Sequence, residues 1–74
     1  MLDKIKFYSE KGLHIGCYPI YEKDKYQWVA YVMTKSKRNW LKGEEGCSMS
    51  AFSTVDKAFE SAINFCNKTY AKNK

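Results

Sequence analysis

In the carboxy-terminal third of the chain, apolar residues recur at Val55, Ala58, Phe59, Ala62, Ile63, Cys66 and Tyr70. That spacing stacks side chains on one face of a 3.6-residue helix. Asp56, Lys57, Glu60, Ser61, Asn64, Asn67 and Lys68 fall on the other side, so residues 53–70 predict one amphipathic helix with a wet face. Ser53 or Thr54 can accept from the first-turn amides, and Asp56 stands three positions after Ser53 in capping-box spacing. An early acid with Lys68 and Lys72 late suits the helix dipole. Such a helix needs a sheet to cover, because each large side chain sealed there adds about 1.5–3 kcal/mol.

The preceding residues predict that sheet. Residues 1–4 read as a frayed lead-in, and Ile5-Lys6-Phe7-Tyr8 alternates as a first strand with Ile5 and Phe7 inward. Residues 9–12 read as a reversal, with Gly12 free to take a positive φ. Residues 13–21 place Leu13, Ile15 and Cys17 on one face and His14, Gly16 and Tyr18 on the other. Pro19 donates no ladder bond, which marks an edge, a bulge or the strand's end. After a charged turn at 22–25, residues 26–34 (YQWVAYVMT) predict the central strand, β-branched or aromatic and apolar on both faces. Small Ala30 between Trp28 and Val32 leaves a groove for the helix, which sends Val29, Tyr31 and Met33 to the outer face with Tyr18. Residues 35–45 either extend a hairpin around Arg38-Asn39 or project as a loop. Residues 46–52 read as the last strand, and residues 71–74 as a disordered tail. The expectation is an α+β domain, β-β-β-β-α: an antiparallel sheet of three to four strands with one carboxy-terminal helix packed on one face.

Composition narrows the class. Seventy-four residues, 45% hydrophobic and 16% aromatic, predict one small folded domain ordered over about residues 5–70. At this size a core contributes only about 3–5 kcal/mol of net stability. The longest apolar run, residues 28–33, is too short to span a bilayer, and no cationic and apolar leader opens the chain. No membrane partner and a cytoplasmic setting are therefore expected. Cys17, Cys47 and Cys66 are an odd set without a C-x-x-C pair, so they read as reduced thiols and not as a disulfide framework or a zinc site.

Candidate catalysts are few. His14 and Cys17 are an odd number of positions apart on a predicted strand, which sends them to opposite faces. Glu44-Glu45 lie in a polar loop with nothing to raise a carboxyl pKa, and read as solvated charges. The four glycines are scattered and form no phosphate loop. The expectation is no enzyme, no catalytic residue, no metal and no cofactor.

Charge points to a partner. Thirteen Lys and Arg against eight Asp and Glu give a net charge of +5, which favours nucleic acid or an acidic protein surface. Lys35, Lys37, Arg38 and Lys42 bracket Trp40, so phosphate-neutralising cations flank a ring able to stack on an unpaired base. Tyr18 and Tyr31, on a sheet face with no helix over it, extend that platform. Lys68, Lys72 and Lys74 add to the field if the helix end lies on the same side. The competing readings are a protein-interaction or inhibitor module, antitoxin-like or phage-encoded, with Trp40, Tyr31 and Tyr18 as anchors and Arg38 orienting them, a homodimer that pairs two outer faces or two edges, and a purely structural loop whose charges solubilise the domain while Trp40 folds back to cap the core edge.

Two partial family resemblances accompany these residues. Strands followed by a final helix bearing Ala58 and Ala62 resemble the later portion of a double-stranded-RNA-binding domain. The helix that opens that family reads as missing here, and Thr54-Val55-Asp56-Lys57 stands where the family places its lysine cluster, so no phosphate-contact role is carried over. Gly46-Cys47, followed by Ser53-Thr54-Val55-Asp56-Lys57-Ala58 and Ala62, is similar to the end of the HicB-type antitoxin domain, where a glycine-cysteine pair leads through a short strand into a helix. That resemblance implies the strand-to-helix junction and nothing about a site.

Overall fold

The computed structural model describes residues 2–47 and 51–72. Its elements run α1 (Leu2–Glu10), β1 (His14–Glu22), β2 (Lys25–Met33), β3 (Arg38–Trp40), β4 (Ala51–Phe52) and α2 (Val55–Lys72). The fold is α+β: an antiparallel sheet with the carboxy-terminal helix packed on one face.

The first element corrects the sequence reading. Residues 5–8 are not a strand but part of α1, and the preceding residues from Leu2 belong to the same helix. The helix predicted to be missing before the strands is therefore present. Four residues of weak alternation cannot separate the two periods, and what decides is the way the segment ends. Gly12 has φ +86°; its N–H donates to the Ser9 carbonyl at 3.1 Å, and the Leu13 N–H donates to the Tyr8 carbonyl at 2.8 Å. This pair of bonds is a Schellman closure, with the apolar contact it favours supplied by Tyr8 and Leu13, both buried in the core. The positive φ expected at Gly12 is real, but it stops a helix and does not turn a hairpin.

β1 and β2 form a long hairpin in register from His14↔Met33 to Glu22↔Lys25. Its two turn residues, Lys23 (φ 56°) and Asp24 (φ 61°), both take the left-handed conformation that a tight hairpin with right-handed twist demands. β2 is the central strand. On its other edge β3 pairs through Tyr31↔Trp40 and β4 through Val29↔Ala51. These two short strands are halves of a single third-strand track, and the chain loops out between them. Leu41 continues the first half, its N–H donating to the Ala30 carbonyl at 3.1 Å, and its side chain is buried in the core. Of the strand expected over residues 46–52, Ala51–Phe52 pairs; Gly46 and Cys47 lie outside any strand, and residues 48–50 lie outside the described residues.

The core lies between the sheet and the helices. Ala30, Val32, Leu41 and Phe52 meet Tyr8, Leu13, Ala58, Ala62 and Cys66, with Ile15, Cys17, Trp28, Ile63 and Phe65 packed at its margin. The inward assignment of Trp28, Ala30 and Val32 is thus borne out. The seam of α2 is narrower than its apolar stripe: Ala58, Ala62 and Cys66, four apart, are fully buried, while Val55 and Phe59 stay half-exposed. Small side chains on the seam let the helix lie close to the sheet, and larger ones flank it. Phe65, outside the predicted stripe, is one of those flanks. Tyr8 donates through its hydroxyl to Asn67 Oδ1, and its ring meets those of Phe7 and Tyr70 edge-on, which ties α1 to α2.

The start of α2 is fixed twice. Thr54 is the cap, its Oγ1 accepting from the Lys57 N–H at 3.2 Å. Ser53 instead donates through both N–H and Oγ to Glu44 Oε1, at 2.9 Å each, and Lys57 Nζ donates to Glu44 Oε2 at 3.0 Å. Glu44 is therefore not merely solvated: it latches the looped-out segment to the helix start. These three donors hold its carboxyl well below the usual range, at about 2. At the other end the helix runs to Lys72, past the tail boundary expected at residue 71.

Candidate functional site

Alternation along the strands lays out the face opposite the helices in cross-strand rows. His14, Met33 and Arg38 form one row, Gly16, Tyr31 and Trp40 the next, and Tyr18, Val29 and Ala51 the third. Val29 and Ala51 are buried in the third row, and so is Gln27 beyond them, its Nε2 donating to the Glu22 carbonyl at 3.4 Å. The middle of this outer face is aromatic. Trp40 lies 5.4 Å from Tyr31 and 6.2 Å from Tyr18, centroid to centroid, and Tyr18 lies 6.5 Å from Tyr31.

One glycine makes this packing possible. Gly16 is the cross-strand partner of Tyr31, whose ring lies down across it: a β-carbon at position 16 would fall 2.1 Å from Tyr31 Cζ. With no side chain beneath it, Tyr31 lies over the neighbouring strand, half-buried. Arg38 then packs over it, the guanidinium carbon 4.7 Å from the Tyr31 centroid and 5.5 Å from that of Trp40. Both separations are within the range of cation–π attraction. Trp40 and Tyr18 keep their exposure, at 47% and 42%.

Four of the seven sequence-predicted residues, Arg38, Trp40, Tyr18 and Tyr31, therefore form one contiguous cluster. Its base is a strand, β3, and not the projecting loop that was one alternative for residues 35–45. The Thr34 N–H and Oγ1 donate to the Lys37 carbonyl at 2.9 and 3.2 Å, closing a tight turn that carries Lys35 and Lys37 at the end of the cluster. An open depression of about 490 Å³ lies there, bounded by Met33, Lys35, Lys37, Arg38 and Trp40. Lys42 is exposed where the chain leaves the third-strand track after Leu41. Lys68 belongs to the helix layer on the other side of the sheet and cannot join this field, and Lys74 lies outside the described residues. Sequence reasoning missed Gly16 as the support of the cluster; its signal was the pairing of a glycine opposite an aromatic, legible only once the register is known.

The remaining candidates separate as their positions dictate. His14 points outward, its Nδ1 3.2 Å from Ser9 Oγ, while Cys17 packs at the core margin. Burial pushes the Cys17 thiol up, and that of Cys66 up to about 11, so neither is a ready thiolate. Among the described residues no group of three or more His, Cys, Asp or Glu is placed to hold a metal ion, and no helix is long and apolar enough to cross a membrane. A second open depression, of about 460 Å³, lies beside the helix start, but its Glu44 and Lys57 are already bonded to each other. A scan against protein-family models and searches of curated proteins and of solved structures return no match to the chain.

Proposed function

We propose that this protein is a non-catalytic binding module that takes single-stranded nucleic acid on the outer face of its sheet. The observation that carries this reading is the exposed Trp40 ring beside Tyr18 and Arg38 on the face opposite the helices. Such a ring stacks on an unpaired base whatever the base is. Lys35 and Lys37, on the adjoining turn, supply the charge that a phosphate backbone requires, and the net charge of +5 favours approach of a polyanion. Fluorescence anisotropy with labelled single- and double-stranded oligonucleotides over a salt series tests it. Binding is expected to favour single strands and to weaken as salt rises; no binding at low salt rejects the reading.

A protein partner with an acidic surface is the second reading. It is favoured by the composition of the same cluster, because Tyr, Trp and Arg are the residues that dominate interface energetics. Stoichiometric capture of one acidic protein from nuclease-treated lysate, lost with Trp40→Ala, together with no oligonucleotide binding, would support it. Self-association through the outer face predicts instead a dimer mass in light scattering.

A further inference from the structure

Deepening the nucleic-acid reading, on which it rests, we infer that the outer face stacks one unpaired base at a time, on Trp40, with the two or three phosphates flanking that base at the turn carrying Lys35 and Lys37. Three aromatic rings in a row look like a track for several bases, but their orientations disagree with that. Bases that stay stacked on one another can use successive platforms only when the platforms offer their faces in similar directions. Trp40 and Tyr18 are 82° apart with centroids at 6.2 Å, so a base lying flat on one meets the edge of the other. Tyr31 is no free platform either. Its ring lies across Gly16 on one side and takes the closer contact with the Arg38 guanidinium, 4.7 Å against 5.5 Å for Trp40, so a base stacks on the part of the exposed Trp40 ring that Arg38 leaves open. Tyr31 is thus a positioning residue that holds Arg38 and Trp40, and Tyr18 is a wall.

The cations are equally local. Lys35, Lys37 and Arg38 all border the open depression next to Trp40. Lys68, one of the basic residues that would have lengthened a track, is on the opposite side of the sheet, and Lys42 stands alone where the chain leaves the third-strand track, outside the residues that border the depression. Two or three cations beside a single stacking surface describe a short footprint.

A competition series decides this. Unlabelled single-stranded homopolymers from about two to about twelve nucleotides compete against one labelled long strand, at several salt concentrations. The expected result is an affinity that levels off by about three nucleotides and then grows only in proportion to the number of positions offered. The logarithmic salt slope should be about −1.4 to −2.1, from two to three phosphates at about −0.7 each. Affinity that climbs steeply through about eight nucleotides, or a slope near −4, overturns the inference while leaving the nucleic-acid reading intact. No binding at any length rejects that reading itself. Trp40→Ala, confirmed folded by its melt, is expected to weaken the shortest strands about ten-fold or more; unchanged affinity there also overturns the inference.

Discussion

The two faces of the sheet are built from alternate residues of the same strands, yet they follow different packing rules. The inner face is filled by aliphatic and small side chains under α2, with Ala30, Val32, Ala58, Ala62 and Cys66 all fully removed from water. The outer face is divided: Val29, Ala51 and Gln27 are buried at one end, while its middle is held together by rings and a guanidinium, of which Tyr18, Trp40 and Arg38 stay exposed. The difference assigns stability chiefly to one face and contact chiefly to the other. Central β2 serves both, which is why its sequence is apolar at nearly every position.

Substitutions should expose that division, beginning with the largest effect. Phe52→Ala removes a buried ring of the inner face and is expected to cost about 3–5 kcal/mol. That is comparable to the whole net stability of a domain this small. A cooperative melt retained near the wild-type midpoint would break the comparison. Gly16→Ala comes next, because the added methyl meets the ring and hydroxyl of Tyr31. The cost should be about 1–3 kcal/mol, with the near-ultraviolet circular dichroism of the aromatic cluster altered before the helical signal is. If that aromatic signal is unchanged, Tyr31 does not rest on Gly16 in solution.

Trp40→Ala should be milder for the fold, about 1 kcal/mol, since the ring is half-exposed and loses its edge contact with Tyr18, its tilted contact with Tyr31 and its share of Arg38. A loss as large as that of Phe52→Ala would make the outer face part of the core. The smallest effect is expected at Glu44, the latch on the helix side. Its pKa falls from 4.5 to about 2 on folding, so its contribution is fully present above 4.5 and is lost as pH drops through about 2. Glu44→Gln should therefore flatten the acid limb of a stability-against-pH curve and leave the neutral-to-basic limb parallel to wild type. Identical acid limbs would show that the latch is not formed.

Much of this division was legible beforehand, for a physical reason. The helix and the central strand are long enough for their periods to be unambiguous, and Ala30 between Trp28 and Val32 correctly gave the inward side. The helix α1 was not legible, because residues 5–8 fit both periods and Gly12 serves a hairpin or a helix stop equally well. The cluster of Arg38, Trp40, Tyr18 and Tyr31 was read as a set, but its geometry depends on cross-strand register, which local pattern does not carry. Glu44 was misread as a solvated charge because its partners Ser53 and Lys57 are nine and thirteen residues away. Nothing in the local pattern says on which side of the sheet Lys68 ends up, and the position of α2 puts the sheet between it and the basic turn.

The third strand comes in two separately registered pieces, Trp40 opposite Tyr31 and Ala51 opposite Val29, and the chain between them is pinned by its own bonds: the Glu44 N–H donates to the Ala51 carbonyl at 2.7 Å and the Cys47 N–H to the Glu44 carbonyl at 3.1 Å. The turn those bonds close leaves the Glu45 side chain exposed, an attachment point for a dye that adds no residue to the chain. A reporter carried there should respect both registers and the Glu44 latch, giving an optical handle that spares the stacking surface itself.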